Sequence, residues 1–583
     1  MLQRRGLSIA YSSKKRRDFN SKRIRAKIRK NTNIYIMIHS ITKKHQAGKL
    51  AAAIFALAAF ATPAAEADGL IPPKVGADYA KARVAQFNAD DNELYKGDFP
   101  NAAAEKFVLE NVPLFDCPDG ELKDVYYFRW WSFRKHLSHS PEVGWVITEF
   151  MPKVGWGGKY NAIVCPAALQ LREARWLRDP KYASQYEDYW CFKEGNRKRA
   201  YSSWLATAAL DVYSTDGDLD ALKKRYRPLK DNFLAWEKSN YDDKLGLFYQ
   251  VDAKDGMELS ASGQLNMGWR GYRATMQSYM ASECYSLSKI AAMIGEKSDA
   301  ELFAKKGDAL KTALNEKLWD ASKKFYMVRP KNGMARDFSP HRELHGYTPW
   351  YFDFAPREYA EAWKQVLDEQ GFKAPFGLMS LERRSPLFQL NYVGHECQWN
   401  GPVWPYSTSI TLSGMANFLR AGGQNVLTKK DFYDALSTYA KAHHRTREDG
   451  KRVFWIDENI HPYTGDWISR TIIKGWIEAG ASGGASVVER GKDYNHSFFA
   501  ELVIRDIVGI MPDGSHRVVI DPLAPDSWKF FALDGVRVLN CNISVLWDKD
   551  GSRYGKGRGF AVFVDGREVA RADKPQKTEI TLK

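Results

Sequence analysis

From residue 116 to about 490, apolar side chains return every three or four positions, many times over, and this limits the chain to an architecture of packed helices. In 272–294, Tyr272, Met276, Tyr279, Met280, Leu287, Ile290 and Ile294 recur at that spacing, and Gly295 follows as a stop. Leu222, Tyr226, Leu229, Phe233 and Trp236 repeat it. Pro228, which lacks an N–H and crowds the preceding turn, is expected to break or kink that segment. Thr428 and Asp431 form a capping-box-like start for Phe432, Leu436 and Tyr439. Further helices are expected over 121–138, 160–176, 198–214, 298–318, 357–370, 404–420 and 468–480. The loops between them are rich in Trp, Gly, Pro and charge, as in Gly155-Trp156-Gly157-Gly158 and Trp399-Asn400-Gly401-Pro402. Helix pairs repeated around a ring place such loops at one mouth, where chemistry usually resides.

Near residue 497 the period shortens to two. Arg517–Ile520, Val536–Leu539, Ile543–Leu546 and Phe560–Val564 read as strands, with turns at Lys549-Asp550-Gly551 and Asp565-Gly566. The expected fold is therefore mainly α, with a helical domain over 116–496 and a small C-terminal β-sandwich over 497–583. Residues 68–115 form a lead-in of mixed signals.

Charge separates the leader from the body. Residues 1–50 hold 15 Lys/Arg and one acidic residue, Asp18, so residues 51–583 keep only +2 of the net +16. A nucleic-acid surface needs its charge on the folded part, so that class is disfavoured. Lys43, Lys44 and Lys49 precede the apolar run Leu50–Ala61 and the small-residue site Ala65-Glu66-Ala67. This is the layout of a signal peptide over 1–67, too short in its apolar part to span a bilayer, and it points to a periplasmic or secreted protein with no stable membrane insertion. Met37 stands as an alternative start, and an uncleaved anchor or a transit peptide are the other readings of the basic leader. Six widely spread cysteines contain no C-x-x-C pair, so neither a disulfide scaffold nor a zinc site is indicated. Nothing in the sequence signals an oligomeric state.

No Gly-rich phosphate loop, G-x-S-x-G elbow or H-E-x-x-H helix occurs. What remains is carboxylates set among aromatic residues, which make up 13% of the chain with 19 Trp and 29 Tyr. Flat rings with polar tips pack cores and also stack on sugars. Cleaving a glycosidic bond takes a protonated acid at the leaving oxygen and a second carboxylate that activates water or attacks the sugar. Two loops supply candidates: Asp255-Gly256-Met257-Glu258-Leu259-Ser260, and Asp457-Glu458 running to Asp466-Trp467.

In the second loop, Glu458 followed by Pro462-x-Thr464-Gly465 resembles the E-N/Q-Y-x-P-x-T-G signature of glycoside hydrolase family 63 and its mannosylglycerate-hydrolase-like relatives. His395-Glu396-Cys397-Gln398-Trp399-Asn400-Gly401-Pro402-Val403-Trp404-Pro405 is similar to that family's sugar-binding loop, and Asp255-Gly256-Met257-Glu258 to its acid loop. The likeness covers roughly 120–490 with the elements in family order. It implies an (α/α)6 barrel, inversion without a metal or other cofactor, a carbohydrate substrate and Glu458 as general base. The chain departs at the acid, where Glu258 stands at the family's Asp position and Asp255 is the alternative. Structural roles compete with each assignment: a helix cap for either acid, and a salt bridge to Arg470 or Arg452 for Glu458. Trp156, Trp399 and Trp404 are candidates to stack on sugar or to pack the core. Arg129, Arg175 and Arg273 are candidates for hydroxyls or a substrate carboxylate, or for ion pairs, with Tyr272, Gln398 and Asn400 as further binding residues. His395, His461 and His496 read mainly as structural. α-Glucoside, α-mannoside, α-L-rhamnoside and uronic-acid substrates all stay open, as do a polysaccharide lyase on a similar toroid and a non-catalytic glycan-binding protein.

Overall fold

Helices without an exposed face end up inside other helices, and this chain has several. In Pro405–Arg420 every residue from Pro405 to Leu419 is buried, and Gly120–Lys135 and Ala274–Met293 are nearly as enclosed. A helix buried on all sides belongs at the centre of a large domain. Lys297–Leu318 is two-sided: Phe303, Leu310, Leu314 and Leu318 form one buried stripe, and the helix packs along Ala274–Met293. The computed structural model describes residues 69–331, 338–423 and 426–583, which belong to one compact unit. The expected signal peptide lies outside the described residues.

The helix contacts follow one another and close. Ala167–Ala174 packs on Leu205–Asp216, that on Ala274–Met293, that on Thr348–Tyr351, and that on Pro405–Arg420. Pro405–Arg420 meets Lys429–Lys441, which meets Gly120–Lys135, and Phe499–Glu501 links Gly120–Lys135 back to Ala167–Ala174.

Most expected helices are present, with shifted ends. The segment 160–176 shrinks to Ala167–Ala174, 198–214 to Leu205–Asp216, and 357–370 opens as a 3-10 helix over Arg357–Trp363 before one α-turn, Lys364–Leu367. Thr428 and Asp431 make the full reciprocal capping box of Lys429–Lys441. Pro228 does not end its helix, which runs unbroken over Leu219–Asn240. Lys224, four residues earlier, is exposed, and a backbone bond lost at an exposed turn costs less than one lost in the core.

The C-terminal strands are seen, but two boundaries move. Helix persists past 497, through Phe499–Glu501 and the wider turns of Leu502–Val508. Buried Glu501 holds it in place by accepting from Arg172, Arg175 and Trp176. The lead-in segment contributes an edge: Leu114–Asp116 pairs antiparallel with Phe530–Val538, followed in the sheet by Cys541–Asp548, Gly559–Val564 and Arg567–Ala572. A second sheet joins Ile510–Pro512, Arg517–Ile520 and Thr578–Thr581. Asp565 and Gly566 form the expected tight turn, whereas Lys549-Asp550-Gly551 opens a longer loop wrapped on Asp548, which accepts the backbone N–H groups of Gly551, Arg553 and Tyr554. Among the described residues no helix is long and apolar enough to cross a membrane.

Candidate active site

Single β-bridges draw distant loops together. Leu259 pairs with Gln398, and Val403 pairs with Ile460. The Trp399 N–H donates to the Leu259 carbonyl at 3.2 Å, and Val403 and Ile460 exchange backbone hydrogen bonds of 2.9 Å. Side chains add to the seam, with Asn459 Nδ2 and Ser469 Oγ both donating to the Glu396 carbonyl. The close approach needs Gly401, since a Cβ there would sit 2.4 Å from the Gln389 carbonyl oxygen. Three loops far apart in sequence thereby share in walling one cavity of about 250 Å³.

Glu258 and Glu458 both face this cavity. Burial pushes the Glu258 carboxyl up to about 8; the charges of Glu458 and Glu149 add to the rise, and the Trp399 indole N–H, 3.3 Å from Oε2, opposes it. At neutral pH Glu258 therefore keeps a proton. Glu458 differs: its Oε1 accepts from Arg490 Nη2 at 2.5 Å, and its Oε2 lies 3.5 Å from the Cys397 thiol. Its neighbour Asp457 accepts the Glu458 backbone N–H and is raised to about 7, by burial first and by the Glu458 charge second. The expected partners of Glu458 are engaged elsewhere, Arg470 with Glu489 and Arg452 with Glu121. The Arg490–Glu458 pair is not sealed off, because both residues line the cavity. One cavity thus presents a carboxyl that holds its proton and a second carboxyl group hydrogen-bonded to a guanidinium.

The three expected tryptophans all line the cavity. Trp399 and Trp404 also stack on each other, with centroids 4.3 Å apart and planes 4° apart, while Trp156 is 40% exposed at the rim. His395 and His496 face the cavity as well. His496 Nε2 lies 2.8 Å from Glu149 Oε1, although not aligned for a straight hydrogen bond.

Other candidates are placed elsewhere. Asp255 is buried beneath the loop, accepting from Thr275 and 3.9 Å from Arg273. Arg273 is fully enclosed and pairs with Asp252. Arg129 is equally buried, gripping both oxygens of Glu173 and Asn495 Oδ1. Arg175 pairs with Asp211 and Glu501. Tyr272 lies on a short strand, its hydroxyl donating to Asp242 at 2.6 Å. The side-chain amides of Gln398 and Asn400 turn away and hold backbone carbonyls, of Val393 and Leu387 respectively. His461 accepts from the Tyr463 and Thr464 N–H groups within its own turn. These placements share a cause: buried charge and amide groups need partners, and each found one in the scaffold.

The wall also contains residues that sequence reading passed over, chiefly Glu149, Glu396, Arg490, Tyr406 and Tyr494. Tyr494 donates to Glu149 at 2.8 Å. None of them stands in a motif or repeats with a period, and only Glu396, inside the family-like loop, had a local signal. His395, Glu396 and Cys397 bring possible ligand atoms within 4.8 Å of one another. Glu396 is bound by Arg490, and His395 Nδ1 accepts the Cys397 N–H, so two of the three donors already have protein partners.

A helical domain whose loops bring two glutamates and three tryptophans to one cavity suits an enzyme that works on glycosidic bonds. The chain belongs to the mannosylglycerate hydrolase MGH1-like glycoside hydrolase family, whose model matches residues 159–497 and thus takes in Glu258, Glu458 and Arg490. Over 209 residues it is 25% identical to a probable mannosyl-oligosaccharide glucosidase of Schizosaccharomyces pombe, covering 34% of this chain and 24% of that one. A solved sialidase structure superposes with a TM-score of 0.78 at 34% identity, over 86% of this chain and 44% of the other. A family GH78 rhamnosidase of Bacillus sp. GL1 shares the fold, with a TM-score of 0.51 at 13% identity, over 75% of this chain and 40% of that one. The chain spans between about a quarter and less than half of the length of these proteins.

Proposed function

We propose that this protein is an exported glycosidase that hydrolyses a glycan with inversion, Glu258 acting as general acid and Glu458 as general base. The observation that carries the proposal is that these two residues, 200 positions apart, face one cavity, with Glu258 held protonated to about pH 8. Such a group delivers a proton to the leaving oxygen, while the second carboxylate draws one from a water at the anomeric carbon. Inversion calls for carboxyl groups roughly 6.5–9.5 Å apart, leaving room for that water. The closed succession of helix contacts supports an (α/α)6 barrel with the cavity at its mouth, and the two sheets beyond Val508 support a C-terminal β-sandwich. Export rests on the basic leader, its apolar run and the Ala65-Glu66-Ala67 site.

The names of its relatives make gluco-, manno- and rhamno-configured glycosides and sialosides the first substrates to try. A lyase acting on uronates is less well served, because among the described residues the one Arg or Lys on the cavity wall, Arg490, is already held by Glu396 and Glu458. The test is a panel of nitrophenyl glycosides and oligosaccharides with the first-formed anomer followed by NMR. Hydrolysis with inverted configuration, abolished in Glu258→Gln and in Glu458→Gln, is the expected result. A retained anomer, an unsaturated product absorbing in the ultraviolet, or wild-type turnover in either variant overturns it.

A further inference from the structure

Three loops of the cavity wall meet at one guanidinium. Arg490 Nη1 donates to Glu396 Oε1 at 3.1 Å and Nη2 to Glu458 Oε1 at 2.5 Å. The guanidinium carbon lies 5.4 Å from the centroid of the Trp156 ring and 5.6 Å from that of Phe150. Among the described residues, Arg490 is the only cationic side chain paired with Glu458.

An arginine facing a single carboxylate usually forks, giving one N–H to each oxygen. Here its two terminal nitrogens are divided between two carboxylates. Among the described residues Glu458 is therefore held at Oε1, and Oε2 keeps only the weak thiol contact from Cys397 at 3.5 Å. The terminal torsion of a glutamate is broad and soft, so nothing within the side chain itself selects this orientation. A charge-assisted hydrogen bond on one oxygen does select it.

We infer that Arg490 is a positioning residue that aims Glu458 Oε2 into the cavity, and that Glu396 is the anchor that keeps Arg490 from occupying both oxygens. This rests on the reading of Glu458 as general base. Phe150 and Trp156 brace the guanidinium from the side by cation–π contact. The proton taken from water would arrive on Oε2, the oxygen that this arrangement leaves open. Glu396 takes no part in the reaction.

The experiment compares Arg490→Ala, Arg490→Lys, Glu396→Gln and Glu458→Gln on the nitrophenyl glycoside that the wild type cleaves, alongside crystal structures of the wild type and Glu396→Gln. A misaimed base costs on the order of 100-fold in rate, so Arg490→Ala should lower kcat about 100-fold with KM within about threefold. Ethylguanidinium in solution should restore part of the Arg490→Ala rate and none of the Glu458→Gln rate, and Arg490→Lys should fall between wild type and Arg490→Ala. Glu396→Gln should lower kcat about tenfold and show Arg490 forked across both oxygens of Glu458. Should Arg490→Ala fail to fold, the Glu396→Gln kinetics and structure still decide. Wild-type kcat in Glu396→Gln, or an unchanged single contact from Arg490 in its structure, overturns the inference. Loss of activity in Glu458→Gln with near wild-type kcat in Arg490→Ala overturns this inference alone, whereas an active Glu458→Gln overturns the reading beneath it.

Discussion

Replacing Glu258 by Gln isolates what burial has done to one carboxyl group. Its rise from 4.5 to about 8 would amount to about 5 kcal/mol if fully realised, at roughly 1.4 kcal/mol per unit. Glu258 keeps some solvent contact through the cavity, which reduces the expected effect to about 2–3 kcal/mol. The sign follows from proton uptake. Below about pH 4 both the folded and the unfolded chain carry the proton, and no penalty exists. Between that pH and about 8 the unfolded chain releases a proton that the native state retains, so the wild type loses stability as pH rises. Gln does not titrate. The melting temperature of Glu258→Gln relative to wild type should therefore climb with pH. Unfolding entropy of roughly 2 cal/mol/K per residue makes 1 kcal/mol worth about 1 °C in a chain of this length, so the relative gain from pH 4.5 to 8.5 is about 2–3 °C. Scanning calorimetry of both proteins across that range measures it, and the basic limb of wild-type kcat/KM should fall near pH 8. A melting-temperature difference that stays flat with pH refutes the reasoning, because Glu258 would then titrate as an ordinary surface carboxylate.

Three further outcomes follow from the same geometry. Trp399→Phe removes the N–H that favours the charged form of Glu258, so the basic limb should move above pH 8; movement below it contradicts the assignment. Glu458→Gln removes a negative neighbour and should lower the Glu258 titration, visible as a smaller pH-dependent stability loss between pH 4.5 and 8.5 even in an inactive protein. Asp255→Ala leaves buried Arg273 without one of its carboxylate neighbours and should cost about 3 kcal/mol in denaturant unfolding, with kcat of the folded fraction unchanged. A large loss of kcat at full stability would return Asp255 to the role of acid.

Glu258, Glu458 and the three tryptophans were legible in the sequence because each sits in a local motif whose chemistry is visible residue by residue. Arg129, Arg273, Gln398 and Asn400 carry equally polar side chains but are spent on Glu173, Asp252 and backbone carbonyls. A buried polar group takes whatever partner the fold brings, and a one-dimensional pattern does not contain that partner. Arg490 was missed for the converse reason. Its neighbours Glu489 and Gly491 belong to no motif, and its meaning arises only from Glu396 and Glu458 standing on either side of it. The helix end at Val508 and the edge strand Leu114–Asp116 were missed likewise, since each depends on a distant partner, Arg172 and Arg175 for the first and Phe530–Val538 for the second.

The amino-acid order alone set the helical class, the switch to strands near the C-terminus and the chemical kind of the site, because periodicity and residue type are local properties that survive any rearrangement in space. Which carboxyl keeps its proton, which arginine faces the cavity and which merely braces the scaffold were decided by folding. Desolvation and pairing depend on neighbours hundreds of residues away, and those neighbours exist only once the loops have met.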